Sequence, residues 1–353
     1  MSDLSQKLKI YLEQITPPNQ ALAEIARERE YWLAKPRGSL GRLESLAIQL
    51  SAIQNSTRPT SENKLMVVCA GDHGVTEEGV SPYKKEVTYQ QILNFQNGFG
   101  AISVLSRHAG AKIALLDVGV DYDFPPLPQL LKKKVAYGTQ NLSKGPAMTR
   151  EQAILSILTG IEVVLSQERV DIVAAGEMGI GNTTPSSCIA CAFLGLTPED
   201  STGRGSGLNE ELVRRKTEVI RRAMEINKPD PNDPLDVLAK VGGLEIGAMA
   251  GVYLGGAMRR AGVILDGFIG AAAGLIAHKL SPNLKPYLIA GHRSKEKAHT
   301  AVLNYLGLEP LLDLEMWLGE GSGAAVAMYI VDCACAHFNE MRTMEEANVT
   351  DIV

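Results

Sequence analysis

The pattern of apolar and polar positions divides the chain near residue 60. From residue 3 to about residue 56, apolar side chains recur at helical spacing, and Pro17-Pro18 and the segment 35–39 interrupt the pattern. Apolar residues that return every three or four positions indicate amphipathic helices. This part of the chain is therefore predicted to form three helices with no strand between them.

Five short apolar runs follow, and each ends in a loop that combines glycine with an acidic residue or histidine. The runs cover 65–70, 112–116, 170–175, 262–265 and 286–290, and a helical segment follows most of them. Short apolar runs that alternate with helices are typical of a parallel sheet covered on both faces. We predict an α/β fold, a Rossmann-like parallel sheet flanked by helices, with a small helical subdomain.

The predicted division of the chain places residues 1–59 in the helical subdomain and residues 60–332 in the large α/β domain. A C-terminal helix at about 333–353 is expected to join the helical subdomain. Ligands of open parallel sheets bind outside the carboxyl ends of the strands. The polar residues that follow the five runs are therefore expected to meet at one edge of the sheet.

Composition and charge narrow the possible partners. The chain has 353 residues, a net charge of -5 and 5% aromatic residues, which gives no reason to expect nucleic acid or an anionic membrane. Two long apolar segments, 241–258 and 261–277, contain Glu245 and Asp266. Placing these carboxylates inside a membrane would cost much free energy, so both segments are predicted to be buried parts of the fold.

The five cysteines predict neither a zinc site nor a disulfide framework. Cys188 and Cys191 form a CxxC pair, but no second pair or nearby histidine completes a zinc ligand set. Both lie in an apolar helical stretch and are expected to be packed free thiols. An odd number of such thiols fits a reducing cytoplasm.

A single carboxylate, Glu320, lies between two glycines immediately before an apolar, helix-prone run. Gly319 and Gly321 allow a tight turn and close approach of a flat ligand. Ser322 is predicted to be the N-cap of the helix that follows. From the local sequence, Glu320 is either a general base or a group that satisfies amides at the helix start, and the second role is the simpler one.

Two glycine-rich loops are suited to an anion. The loop 176–184 leads into a helix, and the loop 201–207 leads into a helix that contains Lys216. Free amides at the start of a helix can hold a phosphate, although glycine turns of this kind are common. Lys216 is read either as a phosphate ligand or as a solvated surface charge. His73 and His292, which follow predicted strands, are candidates for ligand contacts.

Several long motifs together resemble one known family. They cover 71–75, 78–81, 86–88, 176–184, 203–205, 236–251, 266–269 and 318–324, in this order. The chain resembles the nicotinate-nucleotide–dimethylbenzimidazole phosphoribosyltransferases of cobamide synthesis, from about residue 35 to near the C-terminus. The resemblance implies an enzyme that converts nicotinate mononucleotide and a benzimidazole into nicotinate and an α-ribazole phosphate.

The resemblance also implies the roles of individual residues. Glu320 would be the general base. The expected nucleotide-binding residues are Glu177, Gly179, Gly205, Lys216, Ser294 and Asp266. The expected base-binding residues are Tyr83, Gln91 and Leu318. The family leads us to expect no metal or cofactor, a homodimer, and small molecules as partners.

Two alternatives remain at this point. Tyr83 stands where the family resemblance leads us to expect serine, so the preferred base is open and includes phenols or adenine. The second alternative is a non-catalytic nucleotide-binding homologue. The presence of Glu320 favours an enzyme over a binding protein, because a protein that only binds needs no general base.

Overall fold

The N-terminal part of the chain forms the three predicted helices. The structure, a computed structural model, describes residues 3–203 and 209–350. The helices are α1 (Asp3–Leu12), α2 (Gln20–Trp32) and α3 (Arg42–Gln54). The side chain of Asn19 accepts the amides of Ala21 and Leu22, which is why α2 begins directly after Pro17-Pro18.

The sheet confirms the predicted α/β fold. Its strands are β1 (Lys64–Gly71), β2 (Lys112–Gly119), β3 (Leu130–Lys132), β4 (Ile172–Met178), β5 (Gly262–Leu265) and β6 (Leu288–Ala290). All neighbouring strands pair in parallel, in the order β3-β2-β1-β4-β5-β6. This is the strand order of a Rossmann-like sheet, whose order reverses between β1 and β4.

Strand β3 was not predicted. It has three residues at the edge of the sheet, and two of them are exposed, so it lacks the continuous apolar run that marks the other strands. The run 286–290 is also shorter as a strand than predicted, because Pro282–Tyr287 forms a 3-10 helix before β6.

Helices connect the strands and cover both faces of the sheet. They are α4 (Val87–Gln96), α5 (Ala101–His108), α6 (Arg150–Leu165), α7 (Thr183–Leu194), α8 (Pro198–Ser201), α9 (Glu210–Asn227), α10 (Pro234–Val241), α11 (Leu244–Met258), α12 (Phe268–Leu280), α13 (His299–Leu306), α14 (Ser322–Glu340) and α15 (Met344–Ala347). A 3-10 helix, Gly74–Glu78, follows β1.

Alternate residues of β1 belong to two separate hydrophobic cores. Val67 packs with residues of α6, α11 and α12 on one face, and Val68 packs with residues of α3, α5 and α14 on the other. Helices α6 and α11 touch through their backbones, since a Cβ atom added to Gly160 would lie 1.9 Å from the Ala248 carbonyl oxygen. Helix α11 therefore packs on the central strands, and α6 packs closely on α11.

The two long apolar segments are buried, as predicted. One forms α11, and the other forms β5 and most of α12. Glu245 is fully buried and lies 2.8 Å from Nε2 of His73, so its carboxylate has a partner. Within the described ranges, no helix combines the length and the apolar character needed to cross a membrane.

Helix α14 connects the edge of the sheet to the N-terminal helices. Phe338, near its end, forms a small buried cluster with Ala26 and Ala47, and Arg29 donates to the carbonyl oxygens of Phe338 and Met341. The predicted C-terminal helix at about 333–353 falls on the second half of α14 and on α15. The division of the chain into two domains near residue 60 stays a prediction.

Candidate active site

A cavity of about 370 Å³ opens at the carboxyl ends of the central strands. Its walls come from the segments that follow β1, β4, β5 and β6, together with the turn before α14. Eight of the ten residues predicted for the site line this cavity: Tyr83, Gln91, Glu177, Gly179, Asp266, Ser294, Leu318 and Glu320. Gly205 lies outside the described residues, and Lys216 lies behind the cavity wall.

One side of the cavity is formed by the first turns of two helices. Thr183, at the start of α7, and the segment 267–270, at the start of α12, both line it. The first amides of a helix have no partner within the helix and carry a partial positive charge. This side of the cavity therefore favours an anion such as a phosphate.

Lys216 supports the same side from inside the protein. Its side chain is fully buried, and Nζ donates to Oγ1 of Thr183 at 2.7 Å. Burial lowers the pKa of Lys216 to about 8, although Glu296 and Cys188 act in the opposite direction. A solvated surface charge is thus excluded, and this ammonium group lies one hydrogen bond from the cavity.

Glu320 lies at the centre of a left-handed turn. Gly319, Glu320 and Gly321 have φ angles of 83°, 64° and 95°. The turn is pressed against β4, because a Cβ atom added to Gly176 would lie 1.9 Å from the carbonyl oxygen of Glu320. Glycine adopts such angles readily, whereas a residue with a side chain is held in them only by its surroundings.

The carboxylate of Glu320 is buried but incompletely satisfied. The side chain is 6% exposed, the backbone amide of Ile102 lies close enough to favour the charged form of the carboxylate, and Oε2 has no hydrogen-bond partner. Burial raises the pKa of Glu320 to about 7; Asp266 adds to this effect and the Ile102 amide opposes it. A carboxylate of this kind can accept a proton from a ligand at neutral pH.

Glu177 has a similar pKa but different contacts. Its Oε1 accepts the amide of Glu320 at 3.1 Å, and its Oε2 accepts the side-chain amide of Asn182. Burial raises the pKa of Glu177 to about 7, opposed by these two hydrogen bonds and supported by Glu245 and Asp266. Since both oxygens of Glu177 are engaged, the geometry favours Glu320 over Glu177 as the base.

The predicted N-cap of α14 is wrong. Ser322 is the first residue of the helix, and its hydroxyl donates to the carbonyl oxygen of Gly319 at 2.8 Å rather than accepting an amide. The amides of Gly321 and Ala324 instead donate to the carboxylate of Asp266. Asp266, which lies 55 positions before Gly321 in the chain, thus caps the helix in place of Ser322.

Another part of the cavity wall is largely apolar and exposed. Tyr83 and Leu318 are 51% and 55% exposed, and Gln91 accepts the side-chain amide of Asn94 at 3.1 Å. Trp317, which is 56% exposed, also lines the cavity and was not predicted from the sequence. Its position next to Leu318, a predicted base-binding residue, is the feature of the sequence that could have identified it. Aromatic and aliphatic side chains in this arrangement suit a flat, uncharged ring.

Only one of the two histidines predicted as candidates for ligand contacts lines the cavity. His292 lines the cavity, whereas His73 pairs with Glu245 behind it, so only one of the two candidates lies where a ligand can reach it. His299, the first residue of α13, was not among the candidates, and its Nδ1 accepts the amide of Ser294 at 2.9 Å. This bond fixes the backbone of a predicted nucleotide-binding residue.

The cysteines are mostly packed thiols, as predicted. All five are free; Cys69, Cys188, Cys191 and Cys335 are buried, and Cys333 is exposed, contrary to expectation. In the described part of the chain, no cluster of three or more histidine, cysteine or acidic residues could hold a metal ion.

The fold and the cavity define an α/β protein whose ligand site lies at the switch point of a parallel sheet. A family model described as a phosphoribosyltransferase matches residues 15–349. Two similar proteins are the nicotinate-nucleotide–dimethylbenzimidazole phosphoribosyltransferases of Desulforudis audaxviator and Geotalea uraniireducens. Each is 48% identical; the matches cover 97% and 96% of this chain, and 98% and 97% of those proteins.

A solved structure agrees with these matches. The crystal structure of CobT from Thermus thermophilus superimposes with a TM-score of 0.91 at 44% identity, covering 94% of this chain and 100% of that one. The chain therefore belongs to the nicotinate-nucleotide–dimethylbenzimidazole phosphoribosyltransferase family, as its motifs predicted.

The raised pKa of Glu320 predicts a pH-dependent effect on stability. The ordinary value is 4.5 and the folded value is about 7, so folding favours the protonated form, and the contribution of this site to stability falls as pH rises through that window. Glu320→Gln should therefore stabilise the protein by about 3 kcal/mol at about pH 8 and by much less at about pH 5.

Urea denaturation of both proteins at the two pH values measures this difference. Glu62→Gln, at an exposed position outside the cavity, controls for the loss of one negative charge. A stability difference between Glu320→Gln and the unmodified protein that is the same at both pH values would contradict the raised pKa.

Proposed function

We propose that this protein transfers the phosphoribosyl group of nicotinate mononucleotide to dimethylbenzimidazole or a related base, giving α-ribazole 5'-phosphate and nicotinate. The observation that carries the proposal is the buried, incompletely satisfied carboxylate of Glu320 at the wall of a cavity with one anion-binding side and one apolar side. Two curated relatives at 48% identity carry a name that states the same two substrates.

The reaction follows from the chemistry of the two substrates. One ring nitrogen of the base attacks the anomeric carbon of the ribose, the glycosidic C–N bond breaks, and its electron pair leaves with nicotinate. The N–H proton at the other ring nitrogen becomes acidic only as the new bond forms. A carboxylate with a pKa near 7 is suited to take this proton, which is the role proposed for Glu320.

Stereochemistry follows from the direction of attack. The nucleotide carries nicotinate on the β face of the ribose, so direct displacement from the opposite face gives the α-ribotide. The base must then lie across the ribose from the departing nicotinate. A single cavity lined both by the helix starts and by exposed apolar side chains is consistent with such an arrangement.

We propose that the nucleotide binds at the starts of α7 and α12. Gly179, Ser294 and Glu177 line this side, and Lys216 supports it through Thr183. The amides of two helix starts and one buried ammonium group provide the positive potential that a 5'-phosphate requires. Gly205 is retained as a nucleotide-binding residue on the resemblance alone.

We propose that the base stacks near Tyr83, Gln91 and Leu318. The exposure of these residues leaves the preferred base open, and phenols and adenine stay alternatives. The protein is further proposed to act in the cytoplasm, on the basis of its free thiols, and as a homodimer. Exposed apolar side chains at the cavity mouth, such as Trp317 and Leu318, support a covering partner subunit.

The function is tested by incubating the protein with nicotinate mononucleotide and a panel of bases, with products identified by mass. We expect a ribotide and free nicotinate with dimethylbenzimidazole, and none with Glu320→Gln over the same period. Tyr83→Ser should change the ranking of benzimidazole, its dimethyl and hydroxy forms, adenine and phenol, because it removes a stacking surface at the mouth of the cavity.

No ribotide with any base, combined with measurable nucleotide binding, would favour the non-catalytic alternative. An unchanged ranking for Tyr83→Ser would count against its place in the base pocket.

The role of Lys216 is tested by Lys216→Met, which keeps most of the buried volume and removes the charge. A charge-assisted contribution of roughly 1.5–3 kcal/mol predicts that the KM for the nucleotide rises by about ten- to a hundred-fold, with little change for the base. Arg214→Met, at an exposed position of the same helix, is the matched control. Equal losses for both substrates would indicate a general disturbance of α9 instead.

The two carboxylates with a pKa near 7 are separated by single-turnover kinetics at saturating nucleotide. Glu320→Gln keeps the shape of the side chain but cannot take a proton, so the rate should fall by about a hundred- to ten-thousand-fold while both substrates still bind. Glu177→Gln should mainly weaken nucleotide binding. Normal turnover by Glu320→Gln together with a severe loss in Glu177→Gln would reverse the two roles.

A further inference from the structure

The start of helix α14 is capped by a side chain from another strand. Asp266 follows β5 and is 3% exposed. Its Oδ1 accepts the amide of Ala324 at 2.9 Å, and its Oδ2 accepts the amide of Gly321 at 3.2 Å. These are two of the amides that a helix start leaves without an internal partner, and no side chain adjacent in sequence satisfies them.

The residues fixed in this way are those that carry Glu320. Gly321 is bonded to Asp266, and the amide of Glu320 is bonded to Glu177. The backbone of Glu320 is left-handed at φ 64°, a conformation that a residue with a side chain keeps only when its surroundings impose it. Glu177 in β4 and Asp266 after β5 thus accept hydrogen bonds from consecutive amides of one strained turn.

The environment of Asp266 supports a structural task. His292 lies across from it, with Nε2 3.7 Å from Oδ1, and its ring packs so closely on α14 that a Cβ atom at Gly323 would lie 1.9 Å away. The segment bearing Asp266, the segment bearing His292 and the first turn of α14 therefore form one packed unit. A small displacement of Asp266 would be transmitted directly to the turn.

We propose that Asp266 is a positioning residue, which caps α14 from the neighbouring strand and thereby holds Glu320 at its place in the cavity. This assignment rests on the proposed role of Glu320 as the base. It differs from the nucleotide-binding role that the resemblance implies for Asp266, because both oxygens of the carboxylate already accept amides of the turn and of α14.

Hydrogen exchange in the free protein tests the contact without any substrate. The amides of Gly321 and Ala324 should exchange slowly in the unmodified protein, although first-turn amides of a helix are ordinarily unprotected. In Asp266→Asn their exchange should accelerate by about tenfold or more, since at least one charge-assisted bond is lost. The amides of β5, which pair with β4 and β6, should not change.

Glu320→Gln is the matched control for exchange, because the turn keeps both of its carboxylate partners in this variant. Its Gly321 and Ala324 amides should stay protected. Free exchange of these two amides in the unmodified protein, or unchanged exchange in Asp266→Asn, would overturn the proposal. The first of these outcomes needs no variant and is informative even if Asp266→Asn does not fold.

Kinetics distinguishes positioning from nucleotide contact. A misplacement of the base by about 1 Å can cost about a hundred-fold in rate, so Asp266→Asn should lower kcat by this order while the KM for nicotinate mononucleotide changes by less than about threefold. A raised KM with normal kcat would overturn the proposal and restore the nucleotide-binding role.

The two readouts also separate this proposal from the proposed function. If the unmodified protein forms no ribotide with any base, the proposed function fails, whereas the exchange of the Gly321 and Ala324 amides still reports whether Asp266 holds the turn.

Discussion

Three carboxylates are buried at one edge of the parallel sheet, and the geometry of the candidate site depends on how they are held. Glu177, Asp266 and Glu320 are all less than a tenth exposed, and within the described residues no lysine or arginine forms an ion pair with them. A buried carboxylate without compensation is strongly unfavourable. Backbone amides compensate two of these groups: that of Glu320 donates to Glu177, and those of Gly321 and Ala324 donate to Asp266.

This arrangement couples the chemistry of the site to its geometry. The carboxylates of Glu177 and Asp266 hold the turn, and their negative charge also acts on the groups they hold: Asp266 adds to the raised pKa of Glu320. The same burial that costs stability gives Glu320 a pKa of about 7, which is useful to a base at neutral pH. The proposed role of Glu320 and the energetic cost of its burial therefore have a common cause, which is frequent in active sites.

The sequence was sufficient to predict the sheet and the edge at which the site lies. Each of the five predicted strands is a nearly continuous apolar run, and the polar residue after it is necessarily brought to the carboxyl edge of a parallel sheet. Family motifs then identified eight residues that line the cavity. The features that could be predicted were thus those marked by a periodic pattern along the chain or by a contiguous motif.

The features that the sequence predicted wrongly, missed or left open concern contacts between distant segments. Ser322 has a residue type and a position that are typical of an N-cap, yet the amides of Gly321 and Ala324 donate to Asp266 instead. The burial of Lys216 could not be read from α9, because it depends on the packing of that helix against α7. Strand β3 is defined by its pairing with β2 and not by its own three residues. In each case tertiary structure overrode a local preference.

The two sides of the cavity differ in how firmly their residues are held, and this difference separates chemistry from selectivity. On the proposed nucleotide side, Lys216 is fully buried and the amide of Ser294 is bonded to the ring of His299. On the other side, Tyr83, Trp317 and Leu318 are each more than half exposed. A substitution among buried, bonded residues disturbs the whole acidic edge, whereas an exposed side chain can change with little cost to folding. The residues proposed to bind the phosphoribosyl donor and to act as the base are therefore constrained by the fold itself. In the proposed arrangement the acceptor base is constrained by the side chains at the mouth, together with any surface that covers them, so it is the substrate whose identity can vary most easily on this scaffold.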